Sequence, residues 1–158
     1  MEGLSELAKR ENQISITDMT KQVRFVRSKR IGVPQMIIIH HSWTYDVEAM
    51  IRTLTRKGYG THYAIDRDGR IFQVTKDEYV VSHCKTKNHL SLGIDLIRGD
   101  GQEILDCQYN ALNDLLRHLV GKWNLPKPVL HKQSIFYHRD FRRTACPGRI
   151  SDSKIYCV

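Results

Sequence analysis

Long apolar runs are missing from this chain, and with them any stretch of the about 20 residues that a membrane-spanning helix needs. The first ten residues, Met1 to Arg10, lack the basic-then-apolar order of a secretory signal. Synthesis and retention in the cytoplasm is therefore expected, or export by a route that does not read this end. Cysteines are few: Cys84, Cys107, Cys146 and Cys157 are spaced unlike the disulfide framework of a small secreted domain. Reduced thiols are the default expectation, and a Cys84 to Cys107 bridge stays open. There are no internal repeats or low-complexity tracts. Acidic residues are under-represented, 17 against 25 Lys and Arg, for a net charge of +8. Such a balance suits a polyanionic partner, whether nucleic acid, an anionic membrane surface or an acidic cell-wall polymer, and does not choose among them.

With 158 residues, 41% of them hydrophobic, one domain with its own core is expected. Residues 1 to 34 are polar and weakly periodic. They carry a basic stretch, Lys21, Arg24, Arg27, Lys29 and Arg30, which reads as an arm or peripheral segment with a solvated charged face. The run Met36-Ile37-Ile38-Ile39 suits a strand buried on both faces, a feature of α/β architectures. Val47, Met50, Ile51 and Leu54 recur at helical spacing between a capping Asp46 and Gly58. Arg67-Asp68-Gly69 marks a hairpin between residues 62–66 and 70–74. In residues 91–97, Leu92, Ile94 and Leu96 share one strand face, leaving Asp95 on the other as an acidic anomaly. The stripe Tyr109, Leu112, Leu115, Leu116, Leu119 and Val120 predicts a longer helix before Gly121. His118 reads as a surface or core-edge histidine.

Two imidazoles and a thiol stand out: His40, closing the apolar run, and His138 and Cys146 in the segment from Tyr137 to Gly148. This donor set suits Zn²⁺, and three protein ligands leave a fourth position for water, as in catalytic sites. On a strand His41 points away from His40, so it is not expected as a ligand.

Four ordered motifs carry a resemblance: His40-His41-Ser42; Gly60 through Gly69; Ser82-His83 through Asn88 to Ile94; and His138-Arg139-Asp140 through Thr144-Ala145-Cys146-Pro147-Gly148. From about residue 35 to about residue 150 the chain resembles the zinc-dependent N-acetylmuramoyl-L-alanine amidases, which include phage endolysins and peptidoglycan recognition proteins. The resemblance implies a single α/β domain over residues 35–158, a central mixed sheet flanked by helices, and one zinc ion at the floor of a cleft. It implies His40, His138 and Cys146 as the metal ligands. Cleavage of the amide between N-acetylmuramic acid and L-alanine is the implied reaction.

Hydrolysis also needs a base for the water and a donor for the oxyanion. Asp95 is the candidate base; relatives with an acid at this position mostly carry Glu and use it catalytically. Relatives lacking that acid carry tyrosine where this chain has Thr61. Thr144, two residues before Cys146, is the candidate oxyanion donor, with Arg143 as a further source of charge. His83, Asn88, Thr61 and His62 are candidate substrate contacts.

The expected partner is bacterial peptidoglycan, without nucleic acid or stable membrane insertion, and the expected state is a monomer. An endolysin made in the host cytoplasm and acting on the wall after release fits this set. A cytosolic recycling amidase, a zinc endopeptidase cutting within the stem peptide, or a noncatalytic peptidoglycan-binding module are the alternatives. Noncatalytic relatives characteristically lack the ligand that Cys146 supplies.

Overall fold

Ile37, Ile38 and Ile39 have no polar face to offer solvent, and a strand of that kind is stable only with sheet neighbours on both edges and cover on both faces. The computed structural model, which describes residues 13–127 and 129–155, supplies both. Strand order follows the chain as β1 (Ile16–Asp18), β2 (Arg27–Lys29), β3 (Met36–His41), β4 (Tyr63–Ile65), β5 (Ile71–Gln73), β6 (Tyr79–Val81), β7 (Ser91–Leu96) and β8 (Ile135–Tyr137). Six of them make one mixed sheet in the order β1-β5-β4-β7-β3-β8, parallel except for the β4–β5 hairpin. Strands β2 and β6 pair separately and antiparallel.

Two α-helices among the described residues cover opposite faces. Helix α1 (Val47–Lys57) starts where the Asp46 carboxylate accepts a hydrogen bond from the Ala49 N–H at 2.7 Å, and ends at Gly58, whose φ of 73° few other residues adopt. It packs Val47 and Met50 on the sheet face that carries Ala64. Helix α2 (Asp106–Trp123) lays Leu112, Leu115, Leu116 and Leu119 on the other face, against Ile37, Ile39, Leu92, Ile94 and Leu96. It runs through Gly121, two residues beyond the expected stop, and closes on Asn124 in the left-handed region. His118 is exposed, as expected.

Residues 13–34 are attached to this body. Strand β1 extends the sheet beside β5, and Val23 and Phe25 are buried with Val74 and Val81. The basic stretch is not uniformly solvated: Arg30 is 6% exposed. Its guanidinium donates to the carbonyls of Asp77, Tyr79, His89 and Ser91 at 2.9 to 3.1 Å. A planar fork of five N–H groups is suited to such a task, where a point-charged ammonium is not. Substituting Arg30→Met strips those carbonyls of their donor and is expected to lower stability by about 3 kcal/mol in urea unfolding, with Arg30→Lys failing to restore it.

Cys84 and Cys107 are both free thiols, so they form no bridge; Cys157 lies outside the described residues.

Candidate metal centre

Strand register places the site. In β3 and β8, Ile39 lies opposite Tyr137, so His40 and His138 follow at the same level. On the other edge of β3, His40 lies directly opposite Asp95 of β7. Partners on neighbouring parallel strands project to one face. Three adjacent strands thus bring His138, His40 and Asp95 into one row near the carboxyl ends of the strands, where ligand crevices of α/β sheets form. Cys146 arrives by a turn in which its N–H donates to Thr144 Oγ1 and its carbonyl accepts from Arg139 N. Its sulfur then accepts the His41 N–H at 3.4 Å.

His40 Nδ1 lies 3.2 Å from His138 Nδ1 and 3.7 Å from Cys146 Sγ, and the three ligand atoms all fall within 4.8 Å of one another. Around a tetrahedral zinc with N at about 2.0–2.1 Å and S at about 2.3 Å, ligand atoms sit about 3.3 to 3.6 Å apart. The two edges at His40 match that spacing. Burial, followed by the neighbouring His138 and His41, holds the His40 pKa well below the usual imidazole range, and burial followed by Arg142 lowers that of His138. Both are therefore neutral bases with a lone pair to give. Burial pushes the Cys146 thiol up to about 12, against the opposing His41 N–H. A thiol so placed ionises only beside a cation, and a metal ion is the cation that two facing lone pairs accept. The residues present fit zinc.

Hydrogen-bond polarity says which nitrogen of His40 is free. Ser91 Oγ donates to the Lys87 carbonyl at 2.7 Å and so accepts from His83 Nε2 at 3.0 Å. His83 Nδ1 is then the acceptor for His40 Nε2–H at 2.9 Å, and the lone pair of His40 is left at Nδ1, facing His138 and Cys146. The His83 backbone is held in turn, its N–H and that of Cys84 both donating to Asn88 Oδ1. Partners behind a ligating imidazole fix its tautomer and orientation. His83→Ala is expected to weaken zinc binding by about ten- to a hundredfold in a chelator competition, and His83→Gln, which keeps an acceptor, to lose much less.

A cleft of about 320 Å³ opens over this cluster, lined among others by His83, Asn88, Asp95 and Arg142. Asp95 is 5% exposed, and burial raises its pKa to about 7, with the Thr61 hydroxyl opposing the rise. Arg98, a conceivable partner for that carboxylate, forms no ion pair with it.

Thr61 and His62, expected from the sequence as substrate contacts, are both 0% exposed and lie outside the cleft lining. His62 instead accepts the Gly93 N–H at Nδ1 and donates from Nε2 to the Tyr79 carbonyl at 2.7 Å, tying β4 to β7 and β6. Thr144 shapes the Cys146 turn and is absent from the lining; among the arginines it is Arg142, not Arg143, that lines the cleft. Sequence reasoning missed Ser91, Arg30 and the cleft residue Tyr59. Only the polar Ser91 at the head of an apolar strand gave any signal.

The profile of the family described as N-acetylmuramoyl-L-alanine amidase matches residues 30–149. The chain belongs to this amidase family. Among curated proteins none matches. Among solved structures, N-acetylmuramoyl-L-alanine amidase LysC from Clostridium intestinale is similar at 23% identity and a TM-score of 0.70, over 90% of this chain and 94% of that one. The Ph2119 endolysin of a Thermus scotoductus bacteriophage gives 24% identity, a TM-score of 0.70 and coverage of 87% and 94%. Drosophila PGRP-LB gives 22%, 0.66, and coverage of 86% and 89%. At these identities the structural likeness speaks for the fold, and the fold agrees with the family. Among the described residues no helix is long and apolar enough to cross a membrane.

Proposed function

We propose that this amidase is zinc-dependent and cuts the amide between N-acetylmuramic acid and L-alanine in bacterial peptidoglycan, as a monomeric phage or prophage endolysin with its catalytic unit in residues 35–158. The observation that carries the reading is the His40, His138 and Cys146 cluster, whose two distances from His40 match tetrahedral zinc ligation, with Asp95 beside it opposite His40 in register. Those three residues would hold one zinc ion, which supplies a Lewis acid for the amide carbonyl and lowers the pKa of a bound water.

The chain's own groups then divide the work. Asp95 takes the proton of the attacking water. Burial raises its proton affinity, which suits a group that must hold a proton during the reaction and pass it to the leaving amine. His83 keeps His40 aligned through the Nε2 hydrogen bond. Arg142 and Lys85, on the cleft wall, offer positive charge to the carboxylates of a stem peptide. Thr144, the oxyanion donor expected from the sequence, orders the turn that presents Cys146 by accepting its N–H, and in this reading it acts through that turn.

The endolysin role draws on the likeness to the Ph2119 endolysin; synthesis in the host cytoplasm and action on the wall after release belong to the same reading. Mass spectrometry of muropeptides after digestion with the zinc-loaded protein tests it. New L-alanine amino termini with unbroken glycan strands are expected. Cleavage inside the stem peptide, or intact muramoyl amides, would overturn the assignment.

A further inference from the structure

Directly after the metal-ligand strand, Trp43 combines three features that rarely occur together. Its backbone is left-handed, with φ of 58°. For a bulky residue this conformation is a genuine outlier, and such strain persists only where surrounding structure enforces it. The residue is 54% exposed, so burial does not repay the strain. And the ring is not loose: the His41 ring lies 4.9 Å from it, and the Arg98 guanidinium carbon 5.3 Å from its centroid.

Arg98 itself is unusual. It is 6% exposed, and its Nε and Nη1 atoms have no hydrogen-bond partner. A guanidinium withdrawn from water normally finds an anion or carbonyls. Here the face of Trp43 is what the cation meets, a contact that strengthens when desolvated. The same pedestal explains Gly148 in the Cys146 turn. A Cβ there would stand 2.5 Å from Arg98 Nη1 and 3.0 Å from the His41 ring, on a backbone of φ 74°. Ser42 completes the support, its Oγ accepting the Arg98 N–H and its own N–H bonded to the Leu96 carbonyl. Four residues from three separate segments therefore hold an exposed indole in one orientation.

The position says what the indole meets. The cleft is lined by Leu54, Tyr59, Lys85 and Arg142 as well as by the metal cluster, and it comes to Trp43 through His41 and Ser42, which line it beside the indole. Given the amidase reading, on which this step rests, the scissile amide lies at the cluster and the peptide fills the groove. The sugar on the other side of that amide must then leave over the flank of His41 and Trp43. We propose that Trp43 is a stacking platform for an N-acetylated hexopyranose of the glycan strand. The C–H bonds on one face of such a ring carry partial positive charge, which complements the negative face of an indole, and both surfaces lose water on contact.

The experiment uses the full zinc-loaded chain and two readouts. The first is tryptophan fluorescence during titration with the β-1,4-linked tetramer of N-acetylglucosamine, which has no amide to cut. Trp123, whose Nε1 donates to Asp77, is the only other tryptophan in the sequence and serves as the constant background. The parent is expected to give a saturable change that Trp43→Phe abolishes. The second readout is kinetics on peptidoglycan fragments with intact glycan. Trp43→Ala is expected to raise KM about three- to tenfold with kcat and zinc content unchanged, and Trp43→Tyr to recover most of it. An unchanged KM in Trp43→Ala together with no fluorescence response would overturn the platform. So would loss of zinc or of thermal stability in Trp43→Ala that accounts for its kinetics. A parent that responds to the sugar but cuts no muramoyl amide would sink the amidase reading and leave the platform standing.

Discussion

Cys146→Ser is expected to fold, to retain almost no zinc, and to lose at least about a thousandfold in hydrolysis. The fold survives because the turn around residue 146 is held by main-chain groups, the Cys146 N–H on Thr144 Oγ1 and its carbonyl on Arg139 N, which serine keeps. The metal does not survive because the sulfur is the one donor of the three able to carry negative charge, and a serine hydroxyl stays protonated at neutral pH. Two neutral imidazoles 3.2 Å apart are left without an anionic third ligand. A metal acting as Lewis acid supplies several kcal/mol to the barrier, hence the size of the loss. Cys146→Asp, which restores an anionic ligand of the type zinc accepts, is expected to recover part of the zinc and some activity. Metal content by elemental analysis and muropeptide release measured together decide the matter. A Cys146→Ser protein that binds zinc and hydrolyses like the parent would remove the thiolate from the site.

Asp95→Asn has the second largest expected effect, and it falls on a different quantity. The substitution preserves shape and volume in a side chain that is 5% exposed, so packing is disturbed little. Zinc content should stay near that of the parent, because Asp95 is not among the three ligand atoms that cluster. kcat should fall by about 10² to 10⁴, the usual contribution of a positioned general base. The carboxylate has the place for this role: on the strand next to His40, opposite it in register, and on the cleft wall. Burial raises its pKa to about 7, and a cation bound close by would shift it back toward the ionised form that accepts a proton. If Asp95→Asn lost zinc in proportion to activity, the residue would be a support for the metal and the base would lie elsewhere.

The row that contains Asp95 and His40 was largely legible in the sequence. Alternation over residues 91–97 put Asp95 on the face opposite Leu92, Ile94 and Leu96, and the structure agrees: those leucines and the isoleucine face helix α2. The unbroken apolar run before His40 required a doubly covered strand, and the capping Asp46 and Gly58 bounded helix α1 within a residue. Local physics sets these features, so local sequence reports them.

What escaped is set by distant partners. The charge run from Lys21 to Arg30 reads as a solvated face because nothing within it distinguishes Arg30. Only the fold brings the carbonyls of residues 77, 79, 89 and 91 around that one side chain. The expected substrate contact His62 is internal for the same reason, since its acceptor and donor come from β6 and β7. Arg142 and Arg143 are adjacent in sequence, and which of them lines the cleft depends on the path of an irregular loop that no periodicity governs.

Building the site across three paired strands gives it an uneven tolerance to changes in chain length. His138, His40 and Asp95 are aligned by hydrogen-bonded ladders, and in a strand one added or deleted residue turns every later side chain to the opposite face. A single-residue insertion within residues 36–39 would send His40 toward helix α2 and put Ile39 in its place. The same insertion at residues 100–101, in the exposed turn after β7, would leave the row untouched. Length variation in functional versions of this chain should therefore collect in its turns and be absent from the few residues that lead each strand to the metal.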